Sequence, residues 1–247
     1  MNLDLADIRE YVFPLFVAAD PARLPPDTPI IAGKVNYLGT AFFVTRNGIA
    51  ITAAHCVPNP ADLPDGKTFI GVIWDGLRAR AASIQIATLI PDRDLAVLKV
   101  ALTPAKYFEV SFEKVHMGSD VYSVGIPLHS VHGPQFEFRY MKGHVTFVSH
   151  NLELSYPAPR GMSGSPVLSR GKVVGVLSRN ARSEALEDQV EEITENFGPL
   201  TRVTQVKTVS VINYGLAEPL AGTEEVVVPP GDGHPLKELI TRMNRSE

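Results

Sequence analysis

The sequence predicts an all-β chain of short antiparallel strands arranged in two lobes, and three observations carry that prediction. Short apolar runs rich in β-branched and aromatic residues recur at 38–44, 49–52, 69–74, 82–90 and 95–100, a spacing that marks strands bounded by turns. Turn dipeptides divide them: Asn47-Gly48, a strong hairpin signal, then Asp65-Gly66 and Asp75-Gly76. A length of 247 residues with 45% hydrophobic content buries a real core and suits one two-lobed globular unit better than several domains.

Taken in order, residues 3–10 fit one or two helical turns, and 11–17 reads as a strand that Pro14 confines to a sheet edge. The proline-rich 20–29 is loop, and Ile30-Ile31-Ala32-Gly33 reads as the start of a strand. The hairpin around Asn47-Gly48 delivers His55 at the end of its second strand, and Asp94 stands at the head of 95–100. These strands make a first barrel of about six strands over about 10–101, with 101–117 as the connection between lobes. Runs at 118–127, 136–140, 144–148, 152–155, 172–178 and 206–217 continue the short-strand spacing. Between the last two, Leu186, Val190, Ile193 and Phe197 recur at helical spacing, with Ser183 placed to cap and Gly198-Pro199 to stop. The spacing predicts a helix over 183–197, rich in Glu and Asp. Its plain reading is a solvated helix with one packed face; the sharper one is a lid or docking element for basic substrates or partners. Residues 223–247 form a linker and a C-terminal helix, in which Leu236, Leu239, Ile240 and Met243 make one apolar stripe and Pro235 opens the first turn.

Chemistry concentrates in Arg160-Gly161-Met162-Ser163-Gly164-Ser165-Pro166, where a serine sits between glycines on a tight turn. A serine hydroxyl is a poor nucleophile near neutral pH and needs a base and an oriented acid. Thr52-Ala53-Ala54-His55-Cys56 and Asp92-Arg93-Asp94-Leu95-Ala96-Val97-Leu98-Lys99 supply both, with Asp92 as the second-choice acid. The order His55, Asp94, Ser163 is one of the convergent orders of the Ser-His-Asp triad. A solitary serine turn, histidine or aspartate of this kind is ordinarily structural. Order, spacing and flanking strands together favour the catalytic reading.

These three stretches resemble the histidine, aspartate and serine blocks of the trypsin/chymotrypsin superfamily of serine peptidases over roughly residues 10–220, with Ser165 replacing a glycine of the serine block. The resemblance implies two six-stranded antiparallel β-barrels, about 10–101 and about 118–222, with the active site between them and a short C-terminal helix. It implies His55 as base, Asp94 as its orienting acid and Ser163 as nucleophile, with the N–H groups of Gly161 and Ser163 as oxyanion hole. By the same resemblance Pro157, Arg160 and Leu177 fall at substrate-binding positions, Ser178 at the serine bracing the acid, and Arg179 and Asn180 where relatives pair with substrate backbone. Pro157 and Leu177 are not residues that select basic or acidic side chains, so an apolar or small residue before the scissile bond is expected, the alternative being that Arg160 and Arg179 near the cleft favour acidic flanks. Met162 stands where secreted zymogens carry an aspartate, so activation by a freed N-terminus is not expected. The function implied is a serine endopeptidase acting on protein or peptide substrates, alone or with an activating partner. The alternative is a noncatalytic or partner-activated peptide-binding module on the same fold, and an esterase ranks third.

Composition narrows the remaining classes. A net charge of −4 gives no global basic field for nucleic acid or an anionic membrane surface. Cys56 is the only cysteine, which excludes an intramolecular disulfide and fits a reducing compartment. The acids Asp4, Asp7 and Glu10 stand where a secretory signal has basic and then apolar residues. No apolar run approaches the ~18 residues of a membrane span, so a cytoplasmic protein is expected. His129 and His132 lack a cysteine or carboxylate set at metal spacing, and no metal or cofactor is predicted.

Overall fold

The structure is a computed structural model that describes residues 5–19, 36–74, 76, 78–132, 135–197, 200–228 and 233–245, with residues 5–7, 132, 135, 182–197, 200–213 and 245 described by their backbone. The loop expected at 20–29 and the strand start at 30–33 lie outside the described residues.

Strands β1 (Val12–Ala19), β2 (Asn36–Phe43), β3 (Ile49–Ala53), β4 (Lys67–Trp74), β5 (Ala79–Ile90) and β6 (Leu95–Val100) close into an antiparallel barrel in the order β1-β2-β3-β6-β5-β4. Its core is aliphatic and aromatic, with Phe13, Leu15, Phe42, Phe43, Ile51, Ile73 and Leu98 almost fully removed from water. Closure corrects one sequence expectation. β1 is not an edge strand, because it pairs with β2 on one side and β4 on the other. The β4 ladder begins at Leu15, one residue after Pro14, so the missing N–H falls at the end of a ladder, where it is tolerated.

A second barrel follows, from β7 (Asp120–Gly125). Short β8 (Val131–His132) and β9 (Gln135–Phe136) pair with each other, and then come β10 (Arg139–Val148), β11 (Leu152–Leu154), β12 (Pro166–Ser169), β13 (Lys172–Phe197) and β14 (Leu200–Pro219). The closed order is β10-β11-β14-β13-β12-β7. The runs expected as separate strands at 136–140 and 144–148 belong mostly to one strand, because β7 pairs continuously with β10 from Arg139 to His144. Several segments tie the lobes together. Phe108 N–H donates to the Phe43 carbonyl (2.9 Å), and Ser111 N–H to the Val173 carbonyl (2.8 Å), so the connection runs first along one barrel and then along the other. Phe136 packs against Phe16 of β1 at 5.8 Å between ring centroids.

The helix expected over 183–197 is instead the continuation of β13. It pairs with β14 from Gly175↔Pro219 to Phe197↔Leu200, which makes a long two-stranded ribbon out of the barrel wall. The reason lies in the partner: Thr201, Val203, Thr204, Val206, Thr208, Val209, Val211 and Ile212 are β-branched residues that favour an extended chain. Register irregularities fall between Arg182 and Glu187, and the pairing is regular from there to Phe197. Beyond the barrel, β15 (Val227–Val228) pairs with β16 (His234–Pro235), and α1 (Leu236–Arg245) follows. The stripe on α1 returns to the first barrel: Leu236, Leu239 and Ile240 are buried in its core cluster and Met243 packs beside them. Among the described residues no helix is long and apolar enough to cross a membrane.

Candidate active site

The site is assembled at the ends of β3 and β6. These strands pair antiparallel up to Ala53↔Leu95, which sets the residue after β3 beside the residue before β6. Ala54 N–H donates to the Asp94 carbonyl (3.0 Å), and a short 3-10 turn, Ala54–Cys56, then presents His55. Asp94 closes the preceding turn with φ 43°, a left-handed conformation that a short polar residue tolerates. Its carboxylate receives three donors. The His55 ring Nδ1 lies 2.8 Å from Oδ2 and 3.0 Å from Oδ1, His55 backbone N–H donates to Oδ1 at 3.0 Å, and Ser178 Oγ donates to Oδ2 at 2.5 Å. Asp92 sits one turn earlier, exposed, and makes none of these contacts with His55.

The electrostatics follow from that geometry. Burial is the largest influence on Asp94 and raises it. The bonds from the His55 ring, Ser178 and the His55 backbone together outweigh burial and hold the carboxyl below its ordinary value. The bond to Asp94, followed by the neighbouring Cys56, pushes His55 up to about 10. With Nδ1–H given to a carboxylate, the free Nε2 of the neutral ring is the acceptor.

Ser163 stands in a turn that only glycine permits on either side. Gly161 has φ 95° and Gly164 φ 85°, in the left-handed region. A Cβ on Gly164 would also fall 2.0 Å from the Thr40 carbonyl oxygen. The turn is clamped to the first barrel. Thr40 N–H donates to the Ser163 carbonyl (2.8 Å). The Tyr37 hydroxyl lies 2.8 Å from the Gly161 carbonyl and 2.5 Å from that of Ile126, with Thr40 Oγ1 donating to Gly161 at 3.2 Å. Leu128 N–H holds the Arg160 carbonyl (2.8 Å). Because the peptide plane sets N–H opposite C=O, this bond turns the Gly161 N–H away from Leu128. Neither Tyr37 nor Thr40 carries a motif, and Cys56, whose thiol faces the Ser163 carbonyl at 3.6 Å, was read only as part of the histidine stretch. Sequence reasoning missed the first two and gave the third no role in the site. The Ser163 hydroxyl donates to the Ser178 carbonyl at 2.7 Å, so its proton points at β13.

The expected substrate-binding residues divide into three groups. Pro157, Arg160 and Arg179 are exposed near the turn. Leu177 is fully buried in a cluster with Tyr156, Ala158, Met162 and Ala217, so its side chain belongs to the core of the second barrel. Asn180 reaches across to the 157–159 loop: Ala158 N–H donates to its Oδ1 (2.5 Å), and its Nδ2 donates to the Ala158 carbonyl (2.9 Å). On the far side of Asp94 a cavity of about 660 Å³ opens, lined by Asp92, Arg93, His150, Arg179 and Glu218 among others. Burial raises Glu218, against the lowering effect of Arg93. Arg93 Nη2 meanwhile donates to the Pro219 and Ala221 carbonyls, each at 2.9 Å, and so joins the Asp94 turn to the second barrel.

The comparisons agree with this architecture. Among solved structures the chain is similar to an HtrA-type protease, AlgW with decapeptide, at a TM-score of 0.54 and 17% identity, over 87% of this chain and 62% of that one; the likeness is one of fold. No curated protein matches the chain. The family model of the trypsin-like peptidase domain matches residues 39–176, the stretch that contains His55, Asp94 and the Ser163 turn. With more than half of its length matched in this way, the chain belongs to the trypsin-like peptidase domain family of serine peptidases.

Proposed function

We propose that the chain is a serine endopeptidase in which Ser163 attacks the scissile carbonyl and His55 Nε2 takes its proton. Asp94 holds the opposite ring N–H, fixing the tautomer and stabilising the imidazolium. The Gly161 and Ser163 N–H groups then stabilise the oxyanion, and water hydrolyses the acyl-enzyme with His55 again as base. The chemistry calls for no metal or cofactor. The observation that carries this reading is the convergence of His55, its own N–H and Ser178 on the Asp94 carboxylate, while Ser163, held between left-handed glycines, bonds the carbonyl of that same Ser178. The Asn180 bridge to Ala158 narrows the space beside that turn and favours a small residue before the scissile bond.

A second reading, a partner-activated or noncatalytic peptide-binding module, is favoured by one contact: Ser163 gives its proton to Ser178 and must rotate to meet His55. Fluorophosphonate labelling of the wild type and Ser163→Ala, with turnover of a mixed peptide library, separates the two. Labelling and cleavage that both vanish in the variant are expected, with a loss of kcat of about six orders of magnitude. A folded wild type that never labels refutes the free-standing enzyme and supports the second reading.

A further inference from the structure

We propose that Arg93 is a positioning residue: its guanidinium is a strut that holds the Asp94 turn against the second barrel, so that one carboxylate meets both His55 and Ser178. This deepens the endopeptidase reading and rests on it. Asp94 has to serve two lobes at once. Its main chain belongs to the first barrel, through Ala54 N–H to the Asp94 carbonyl and Asp94 N–H to the Pro91 carbonyl, each 3.0 Å. Its Oδ2 takes the Ser178 hydroxyl of β13. The sheet alone fixes Ser178 loosely: β13 and β14 pair at Leu177↔Ala217 and again at Arg179↔Leu216, with a register shift in between. Ser178 therefore stands at a bulge, without a cross-strand partner.

Arg93 supplies a further point of reference. Its Nη2 bonds to the Pro219 and Ala221 carbonyls lie just past Ala217 and Glu218, the residues that β14 sets opposite Leu177 and Val176. Beside these bonds the space is open. The cavity of about 660 Å³ is walled by residues 91–94 on one side and by Glu218, Pro219 and Ala221 on another, so packing leaves the turn room to move and the guanidinium bridges the gap. The head of Arg93 is held in its turn by charge. Its buried Nε has no hydrogen-bond partner among the described residues and lies 4.0 Å from Oε2 of Glu218. That carboxylate is only 6% exposed, and its Oε1 receives the Asn151 amide. Glu218 feels Asp94 as a like charge, with Arg93 and Arg179 as the cations that offset it. A neutral residue at position 93 thus removes the strut and sets Glu218 against Asp94, and both effects loosen the carboxylate from His55.

The test reads the imidazole directly. Titration of the His55 ring by NMR, its signal assigned by its loss in His55→Gln, follows the Asp94 bond in the full chain whether or not that chain turns over peptide. With Arg93→Ala the midpoint is expected to fall from its raised value by about one pH unit, a tenfold loss of proton affinity. On a peptide that the wild type cleaves, kcat is expected to fall about tenfold with KM nearly unchanged. Arg93→Met, which keeps the stem and loses the head, is read alongside with the same expectation, so the result does not hang on the folding of one variant. Because the vacated place opens on the cavity, millimolar guanidinium ion is expected to restore the midpoint of Arg93→Ala saturably, and sodium at the same concentration to leave it low. A titration unmoved in both variants, whatever their thermal midpoints, makes Arg93 a structural residue only and overturns the proposal; so does a lowered midpoint that guanidinium does not raise. Fluorophosphonate labelling of the wild type judges the enzyme separately. A chain that never labels but whose His55 titration moves refutes the endopeptidase and keeps the strut, and one that labels while the titration stays fixed refutes only the strut.

Discussion

At Asp94 a single carboxylate orients the imidazole, accepts the backbone N–H of the same histidine and receives Ser178. Removing the last of these with Ser178→Ala takes away one charge-assisted bond and is expected to lower kcat about tenfold with little change in KM, measured on any peptide the wild type cleaves. A general base must be neutral, and the pair pushes His55 up to about 10. The rising limb of kcat/KM against pH is therefore expected alkaline of the ordinary imidazole value, and Asp94→Asn should return it toward that value while lowering the plateau. Asn180→Gly unties β13 from Ala158 and is expected to admit larger residues before the scissile bond; an unchanged cleavage profile in the peptide library refutes the bridge as a specificity element. His55, Asp94 and Ser163 were legible because each lies in a short local pattern. Tyr37 and Thr40 were not, since an ordinary tyrosine and threonine gain their role only when folding brings them to Gly161, more than a hundred positions along the chain.

Among the elements, α1 shows what periodicity reads well. Its apolar stripe is local, and it is buried as the spacing predicts. Leu236 is 1% exposed, so Leu236→Ala is expected to cost about 2–4 kcal/mol, read as a lower urea midpoint with an unchanged slope. Residues 183–197 show the opposite case. Four apolar residues at helical spacing carry less weight than a β-branched partner strand whose pairing is invisible until the two segments are set in register. Pro14 was read as confining its strand to a sheet edge, but barrel closure, a property of all six strands, gives that strand two neighbours.

For the molecule as a whole, the His55–Asp94 pair ties stability to pH. His55 is raised on folding, so its contribution is complete below the ordinary imidazole value of about 6.5 and is lost as pH climbs through the raised one. Asp94 is lowered, so its contribution is complete above the ordinary carboxyl value and is lost as pH falls through the lowered one. The difference in Tm between wild type and His55→Ala is thus expected to be largest from about pH 4 to 6.5 and to shrink toward alkaline pH, as thermal melts across that range will show. Between the lobes, Tyr37→Phe strips the shared hydroxyl from the Gly161 and Ile126 carbonyls. It is expected to lower kcat with KM nearly unchanged and to cost about 1–2 kcal/mol in a denaturant titration.

The clamp of Thr40 on the Ser163 carbonyl and the bond from Ser178 to Asp94 also bear on biosynthesis. A chain emerging from the ribosome exposes His55 and Asp94, the proposed base and acid, long before Ser163. The Ser163 turn is held both by the first barrel and by the later strand β13, through Gly164 N–H to the Leu177 carbonyl and the Ser163 hydroxyl to that of Ser178. On the endopeptidase reading half-synthesised copies are therefore expected to be inert, so that no unfinished hydrolase acts among nascent proteins. Arrested chains truncated before β13 should stay dark to a fluorophosphonate reporter even when their first barrel is folded.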